Sequence, residues 1–221
     1  MRFKIALFVA VVVSVVLHEL GHALSALAFG DDTAKQAGHV TLNPWKVSPF
    51  GAVILPGLLI LAGGFPIAFA ATPVSPRKMR NPRLHSMLCS LAGPAVNVVL
   101  IGVSLAVLRT ASLQSLFATP SGFFRLPDQL GHWPTLYLFA YALGYINVIL
   151  AVFNLIPVPP LDGSAVIERF LPRNMWPGWM KFRQWGMGIL IFVALATPVF
   201  PTILRPFLNL WTRGWAHVAM F

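Results

Sequence analysis

The sequence predicts an all-α polytopic membrane protein of about four to six transmembrane helices, with a Gly/Pro-broken re-entrant or hairpin segment after the first. Three observations predict it. Of 221 residues, 57% are hydrophobic and 10% charged, whereas soluble globular domains carry about 25% charged residues. Seventeen Phe and seven Trp stand against six acidic residues, and the mean hydropathy is +0.75. Four apolar stretches, at residues 5–29, 85–108, 135–156 and 186–204, each approach the ~20 residues that cross a bilayer. One soluble core cannot hide this much apolar surface, but lipid can serve as its solvent. A soluble enzyme and a disordered tail are excluded. The single cysteine, Cys89, excludes a disulfide scaffold and says nothing about redox compartment.

Each element has its own warrant. In residues 5–29 an unbroken Ala/Val/Leu run follows Arg2 and Lys4. That opening resembles a secretory signal, with Ala26-Leu27-Ala28 as its cleavage site. His18, Glu19 and His22 inside the apolar run argue against cleavage. Residues 50–71 are apolar too, but Pro56-Gly57, Gly63-Gly64 and Pro66 interrupt a helix. A hairpin is therefore as plausible there as a span. Stretches 85–108, 135–156 and 186–204 read as continuous spans, and residues 206–221 as a short apolar tail. In that tail Trp211, Arg213 and Trp215 suit an interface. No connecting loop holds a soluble domain of about 50 residues. The expected organisation is one membrane domain over 1–221, with a core at about 5–164 and a helical C-terminal region at about 165–221.

The net charge of +10 (16 Lys+Arg against 6 Asp+Glu) invites a nucleic-acid reading. Its distribution opposes that. Arg77, Lys78, Arg80 and Arg83 form one cluster, and Arg169, Arg173, Lys181 and Arg183 a second. Both lie between apolar runs, as cytoplasmic loops do under the positive-inside rule, and no polar aromatic face accompanies them. The expected partners are the lipid bilayer and membrane proteins, with no nucleic acid.

The chemistry centres on His18-Glu19-Leu20-Gly21-His22 in the first apolar helix. Residues four apart share a helix face, so both imidazoles can reach one zinc ion. Glu19 sits beside that face, placed to take a proton from water. Ionisable groups inside a membrane helix are costly and default to function. Zinc in a hydrolytic site takes a third protein ligand. Asp31 and Asp32 follow the same helix and are expected to face water, and Asp128 precedes the third span on the far side. Asp162 ends Asn154-Leu155-Ile156-Pro157-Val158-Pro159-Pro160-Leu161-Asp162. Its prolines force extended backbone that can carry the carboxylate back toward the helices. With Asp162 and Glu19 ionised, a Zn²⁺ ion brings the local charge to zero, which lowers the cost of burial.

His18-Glu19-Leu20-Gly21-His22, the Asn-x-x-Pro-x-Pro-x-x-Asp-Gly segment ending at Gly163, and Ala92-Gly93-Pro94 followed by Asn97 resemble the site-2 protease family of intramembrane zinc metalloproteases. Asn81-Pro82-Arg83 before that last motif looks like a bacterial branch. The resemblance runs from Leu17 to about Ser164. It implies one zinc per chain on His18, His22 and Asp162, Glu19 as the catalytic carboxylate, and Asn154 as a holder of substrate backbone. It also implies a minimal form without PDZ or CBS domain, located in a prokaryotic plasma (inner) membrane. Peptide bonds of membrane-spanning substrates would be cut within or near the bilayer.

The resemblance bears on topology. With residues 50–71 re-entrant, the first helix runs inward and His22 lies ~10 Å from its cytoplasmic end, where Asp162 can meet it. Arg2 and Lys4 then face outward, against the charge bias. Metal assembly is the stronger constraint, so the site is expected to open toward the cytoplasm.

The remaining polar residues carry plainer expectations. His39 reads as structural, His85 as a headgroup contact, and His132 and His217 as surface residues beside Trp133 and Trp215. Cys89 reads as a packing thiol, and Asn97 as an interhelical hydrogen bond or part of the site lining. Two other functions stand beside the protease: an inactive relative that binds membrane proteins, and a metal-ion transporter.

Overall fold

The computed structural model describes residues 1–63, 68–110 and 134–220, and among these all regular structure is helical. The helices are α1 (Arg2–Ala28), α2 (Thr33–Gln36), α3 (Pro44–Val47), α4 (Leu55–Leu61), α5 (Pro82–Arg109), α6 (Thr135–Asn154), α7 (Ser164–Phe170), α8 (Trp176–Ala196) and α9 (Val199–Met220). Among the described residues α1, α5 and α6 are long and apolar enough to cross a membrane. Asp128, His132 and Trp133 lie outside the described residues.

Local chemistry sets the ends of these helices. α1 stops at Gly30, whose φ of 101° suits glycine. The Gly30 amide donates to Leu27 O (3.1 Å) and the Asp31 amide to Ala26 O (2.9 Å), which is a Schellman closure. α5 starts at Pro82, preceded by Asn81, whose side chain accepts from the Leu84 amide. A proline in the first helical position loses no hydrogen bond, and an asparagine cap satisfies an orphan amide.

The Arg80 amide donates to Phe29 O (3.2 Å) at one end of the bundle. At the other end, Arg2 Nη2 donates to Thr135 Oγ1 (3.0 Å) and the Tyr137 hydroxyl to Thr110 O (3.2 Å). α1 and α6 therefore run parallel, with α5 antiparallel to both. Small residues let the helices approach, as membrane interfaces require. A Cβ on Gly21 would fall 2.9 Å from Val96 Cγ2 and 3.1 Å from Ala92 O. Ala10, Val11, Leu138 and Ile146 fill the core between them.

The interrupted segment folds as a hairpin. A π-helical turn at Pro49–Ile54 runs into α4, and Lys4 Nζ meets Leu61 O (3.2 Å) beside the start of α1. The chain then returns, and the Phe69 amide donates to Gly51 O (3.1 Å). The arms thus meet at one level, which is the re-entrant alternative rather than a span.

The C-terminal region departs from expectation in two places. Stretch 186–204 is no single helix, because α8 ends at Ala196 and α9 begins at Val199. Thr197 is extended (φ −139°, ψ 155°), the conformation a following proline imposes, here Pro198. Nor is 206–221 a separate interfacial tail. Pro206 lies inside α9, and Leu204, Leu208 and Trp211 are buried against the core. The Trp211 ring fills the space beside Gly144 on α6 that a side chain would occupy.

Candidate metal centre

His18 and His22 lie one turn apart on α1, and both are buried. Their rings face Gly93 of α5. A Cβ there would stand 2.5 Å from His22 Nε2 and 2.6 Å from His18 Nε2, so only glycine admits both rings. Each ring is held by its inner nitrogen. His18 Nδ1 bonds Asn97 Oδ1 at 2.7 Å, and His22 Nδ1 bonds the Cys89 carbonyl at 2.7 Å. Both acceptors require a proton on Nδ1. A neutral ring then turns its lone pair outward on Nε2, the form that ligates metals.

Asp162 reaches these nitrogens from the loop that follows α6. The Gly163 amide donates to Asn154 O (2.7 Å), closing the loop onto the helix end. A Cβ on Gly163 would collide with the Leu155 and Ile156 carbonyls. Asp162 Oδ2 lies 3.2 Å from His18 Nε2 and 3.4 Å from His22 Nε2, and the two Nε2 atoms are 3.1 Å apart. The Oδ2 atom is buried with no hydrogen-bond partner.

Zinc fits this set. Three acceptor atoms converge with no proton between them if the rings are neutral, an arrangement that a cation stabilises. Ligands ~2.0–2.1 Å from a tetrahedral zinc stand about 3.3 Å apart, close to the three separations here. Glu19 completes the group, with its carboxylate within 4.8 Å of the histidine ligand atoms.

Glu19 is itself held. Thr72 Oγ1 donates to Glu19 Oε2 at 2.6 Å. Thr72 belongs to the returning arm of the hairpin, which is fastened again at Asp31. Sequence reasoning expected Asp31 to face water, but it is fully buried. Its carboxylate accepts from the Ser75 amide (2.5 Å), the Thr33 amide (3.0 Å) and the Thr33 hydroxyl (2.5 Å). The Schellman closure turns Asp31 inward, where these donors replace water. Burial pushes its carboxyl pKa up, but the Thr33 hydroxyl, the two amides and nearby Lys78 outweigh that and hold it below the ordinary value. Asp32 instead pairs with Lys78 at 2.7 Å.

Other candidates fall elsewhere. Asn154, expected on substrate, donates from Nδ2 to Leu150 O (3.0 Å) on its own helix. His85, expected at headgroups, stacks on Phe29 (centroids 4.4 Å apart) and accepts from the Asn81 amide. His39 stays in the loop between α2 and α3, outside the cluster. Sequence reasoning missed Thr72, the Cys89 carbonyl and Asn147. Of these only Asn147 carried a signal, as an amide inside an apolar span. Asn97 bonds across helices and lines the site at once.

The pattern of peptidase family M50 matches residues 6–197. The chain is 38% identical over 210 residues to YwhC of Bacillus subtilis (strain 168), covering 92% of this chain and 85% of that protein. It is 33% identical over 186 residues to Rip2 of Mycolicibacterium smegmatis, covering 84% of this chain and 64% of the relative. A Methanocaldococcus jannaschii protein named zinc metalloprotease MJ0392 is 26% identical over 198 residues, or 90% of this chain and 43% of that one. No solved structure matches.

Proposed function

This chain belongs to peptidase family M50, the site-2 proteases, and is by that membership a zinc metalloprotease; we propose that it hydrolyses peptide bonds of membrane-spanning substrates within or near the bilayer, using Glu19 beside a zinc on His18, His22 and Asp162. The observation that carries this reading is the convergence of His18 Nε2, His22 Nε2 and Asp162 Oδ2, with both Nδ1 atoms committed elsewhere.

Held by His18, His22 and Asp162, zinc would supply a Lewis acid for the scissile carbonyl and would lower the pKa of a water molecule toward about 7. Glu19 takes the proton from the attacking water and passes it to the leaving amine. Thr72 aims the Glu19 carboxylate by its hydrogen bond. A helical substrate hides its amides, so it unwinds before attack. The returning arm over residues 68–73 offers its backbone to the unwound strand for β-augmentation, a role expected of the Gly/Pro-rich stretch 64–73, of which residues 64–67 lie outside the described ones. In the loaded site Asn154 gives up its own helix and bonds substrate amide groups.

The protein is integral to the membrane. The overall charge balance supports the orientation that metal assembly favours, although Arg2 and Lys4 oppose it. Lys35, Lys46, Arg77, Lys78, Arg80 and Arg83 gather at the end where α1 finishes and α5 begins, against Arg2, Lys4 and Arg109 at the opposite end. The positive-inside rule puts the first end in the cytoplasm, so the site opens on that side of a prokaryotic plasma membrane.

Glu19→Gln tests the reading. Detergent-purified variant should hold about one zinc per chain, as wild type does, yet cut a single-span substrate about 10²- to 10⁴-fold more slowly. Asp162→Ala should bind zinc far more weakly. Cleavage by Glu19→Gln at the wild-type rate would overturn the assignment, and absence of zinc from folded wild type would favour a protein that binds without cutting.

A further inference from the structure

Behind His18, away from the proposed zinc, a buried polar chain crosses all three spanning helices. Asn97 on α5 bonds His18 Nδ1 through Oδ1 and donates from Nδ2 to Asn147 Oδ1 on α6 at 2.7 Å. Asn147 Nδ2 donates to Ser14 Oγ on α1 (2.7 Å) and to the Leu143 carbonyl (2.8 Å). Ser14, Asn97 and Asn147 have no exposed surface. Single bonds of this kind contribute only ~0.6 kcal/mol on average between membrane helices, so adhesion alone is a weak reason to bury three polar side chains in an apolar bundle.

The chain has a direction, and a backbone atom sets it. The Leu143 carbonyl can only accept, so the Asn147 atom facing it is the amide NH₂. Asn147 Oδ1 therefore faces Asn97, which must present its own NH₂ there. Asn97 Oδ1 is left facing His18, and Nδ1 must carry the proton. Ser14 lies one turn before His18 on α1, so the chain returns to the helix that bears the ligand.

We propose that Asn147, with Ser14 behind it, is a positioning residue for the metal centre: it locks the Asn97 amide so that His18 is held with its proton on Nδ1 and Nε2 free for the metal. The inference rests on the proposed zinc assignment. Asn147 touches neither metal nor substrate and acts only through Asn97. With Leu at 147, the Asn97 amide loses the partner that fixes its orientation. In its flipped form NH₂ faces His18 Nδ1, the ring moves its proton to Nε2, and the ligand atom is blocked.

The experiment measures zinc affinity of the full chain in detergent by chelator competition, and ¹⁵N shifts of the histidine rings in the metal-free protein. Asn97→Leu should weaken zinc about tenfold to a hundredfold, as loss of a ligand's hydrogen-bond partner does. Asn147→Leu should weaken it less, about threefold to tenfold, while moving the His18 signal from the Nδ1–H form toward a tautomer mixture. Asn97→Asp keeps an acceptor against Nδ1 but drops the donor to Asn147. It should bind zinc within threefold of wild type although it unfolds at lower temperature. Helix adhesion alone predicts the opposite, with Asn97→Asp as poor as Asn97→Leu, and that result would overturn the proposal. So would an unchanged His18 tautomer in folded Asn147→Leu. Asn147→Ala, which also removes the partner of the Asn97 amide, carries the same tautomer test if Asn147→Leu does not fold. His22→Ala separates the two levels: zinc binding equal to wild type there would remove the metal centre and this proposal with it.

Discussion

The site is assembled from two kinds of structure, and they are held in different ways. His18 and His22 stand inside the α1–α5–α6 bundle, where contact with Gly93 and one hydrogen bond at each Nδ1 hold the rings. Asp162 and the Thr72 that aims Glu19 arrive on irregular chain, tied down at a few backbone points: Gly163 to Asn154, Phe69 to Gly51, and Ser75 to Asp31. The bundle side is preset. The loop side is a set of tethers, each of which one substitution can release. The proposed reaction needs both, since it requires rigid ligands and a way in for a substrate strand beside Glu19.

The largest effect should come from overfilling the bundle. Gly93→Ala puts a methyl 2.5–2.6 Å from both Nε2 atoms, and neither ring can retreat without breaking its Nδ1 bond. Overpacking typically costs about 1–3 kcal/mol, here falling on the ligand pair, so zinc affinity should drop up to about a hundredfold by chelator competition. Wild-type zinc affinity in folded Gly93→Ala would show that the pair is not preset by the bundle.

Releasing a tether should reach no further and change a different quantity. Thr72→Val removes the hydrogen bond to Glu19 but keeps the shape and the backbone of the arm. A bond to a charged group contributes about 1.5–3 kcal/mol, so kcat should fall about tenfold to a hundredfold, with KM and zinc content near wild type. Thr72→Ser should recover most of the loss. If KM rose while kcat held, Thr72 would belong to substrate binding instead.

The same division decided what could be read from the sequence. Apolar runs and the four-residue histidine spacing depend on local periodicity, so α1, α5 and α6 were found to within three residues, and the Pro-rich loop pointed to Asp162 by its chemistry. The C-terminal third misled because hydropathy averages over a break: Thr197-Pro198 divides one apolar stretch into two helices, and Trp211 looked interfacial until Gly144 offered it a socket. Thr72, the Cys89 carbonyl and the burial of Asp31 were illegible for another reason. Each depends on contacts between segments 44 to 67 residues apart, and no local pattern encodes which hydroxyl or carbonyl will meet which ligand.

The smallest effect should lie at the far tether. Asp31 is more acidic folded than unfolded, so its carboxylate stabilises the anchored arm above the ordinary value of 3.8, and that contribution is lost as pH falls through the lower folded value. At pH 7, Asp31→Asn turns an amide donor toward the Ser75 N–H or leaves it a weaker acceptor, so the Ser75 amide should exchange hydrogen about tenfold faster than in wild type. As pH falls below the ordinary value of 3.8 and through the lower folded one, the wild-type carboxyl is protonated and the two proteins should converge. α1 should stay equally protected in both at every pH, because the bundle does not use this bond. Equal exchange at pH 7 would mean that the arm is held by Phe69 and Thr72 alone. A difference that persisted unchanged once the carboxyl had been titrated would mean that the charge on Asp31 is not what holds the arm. Faster exchange in the variant, confined to the arm with α1 unaffected, is what separates a tether from a core.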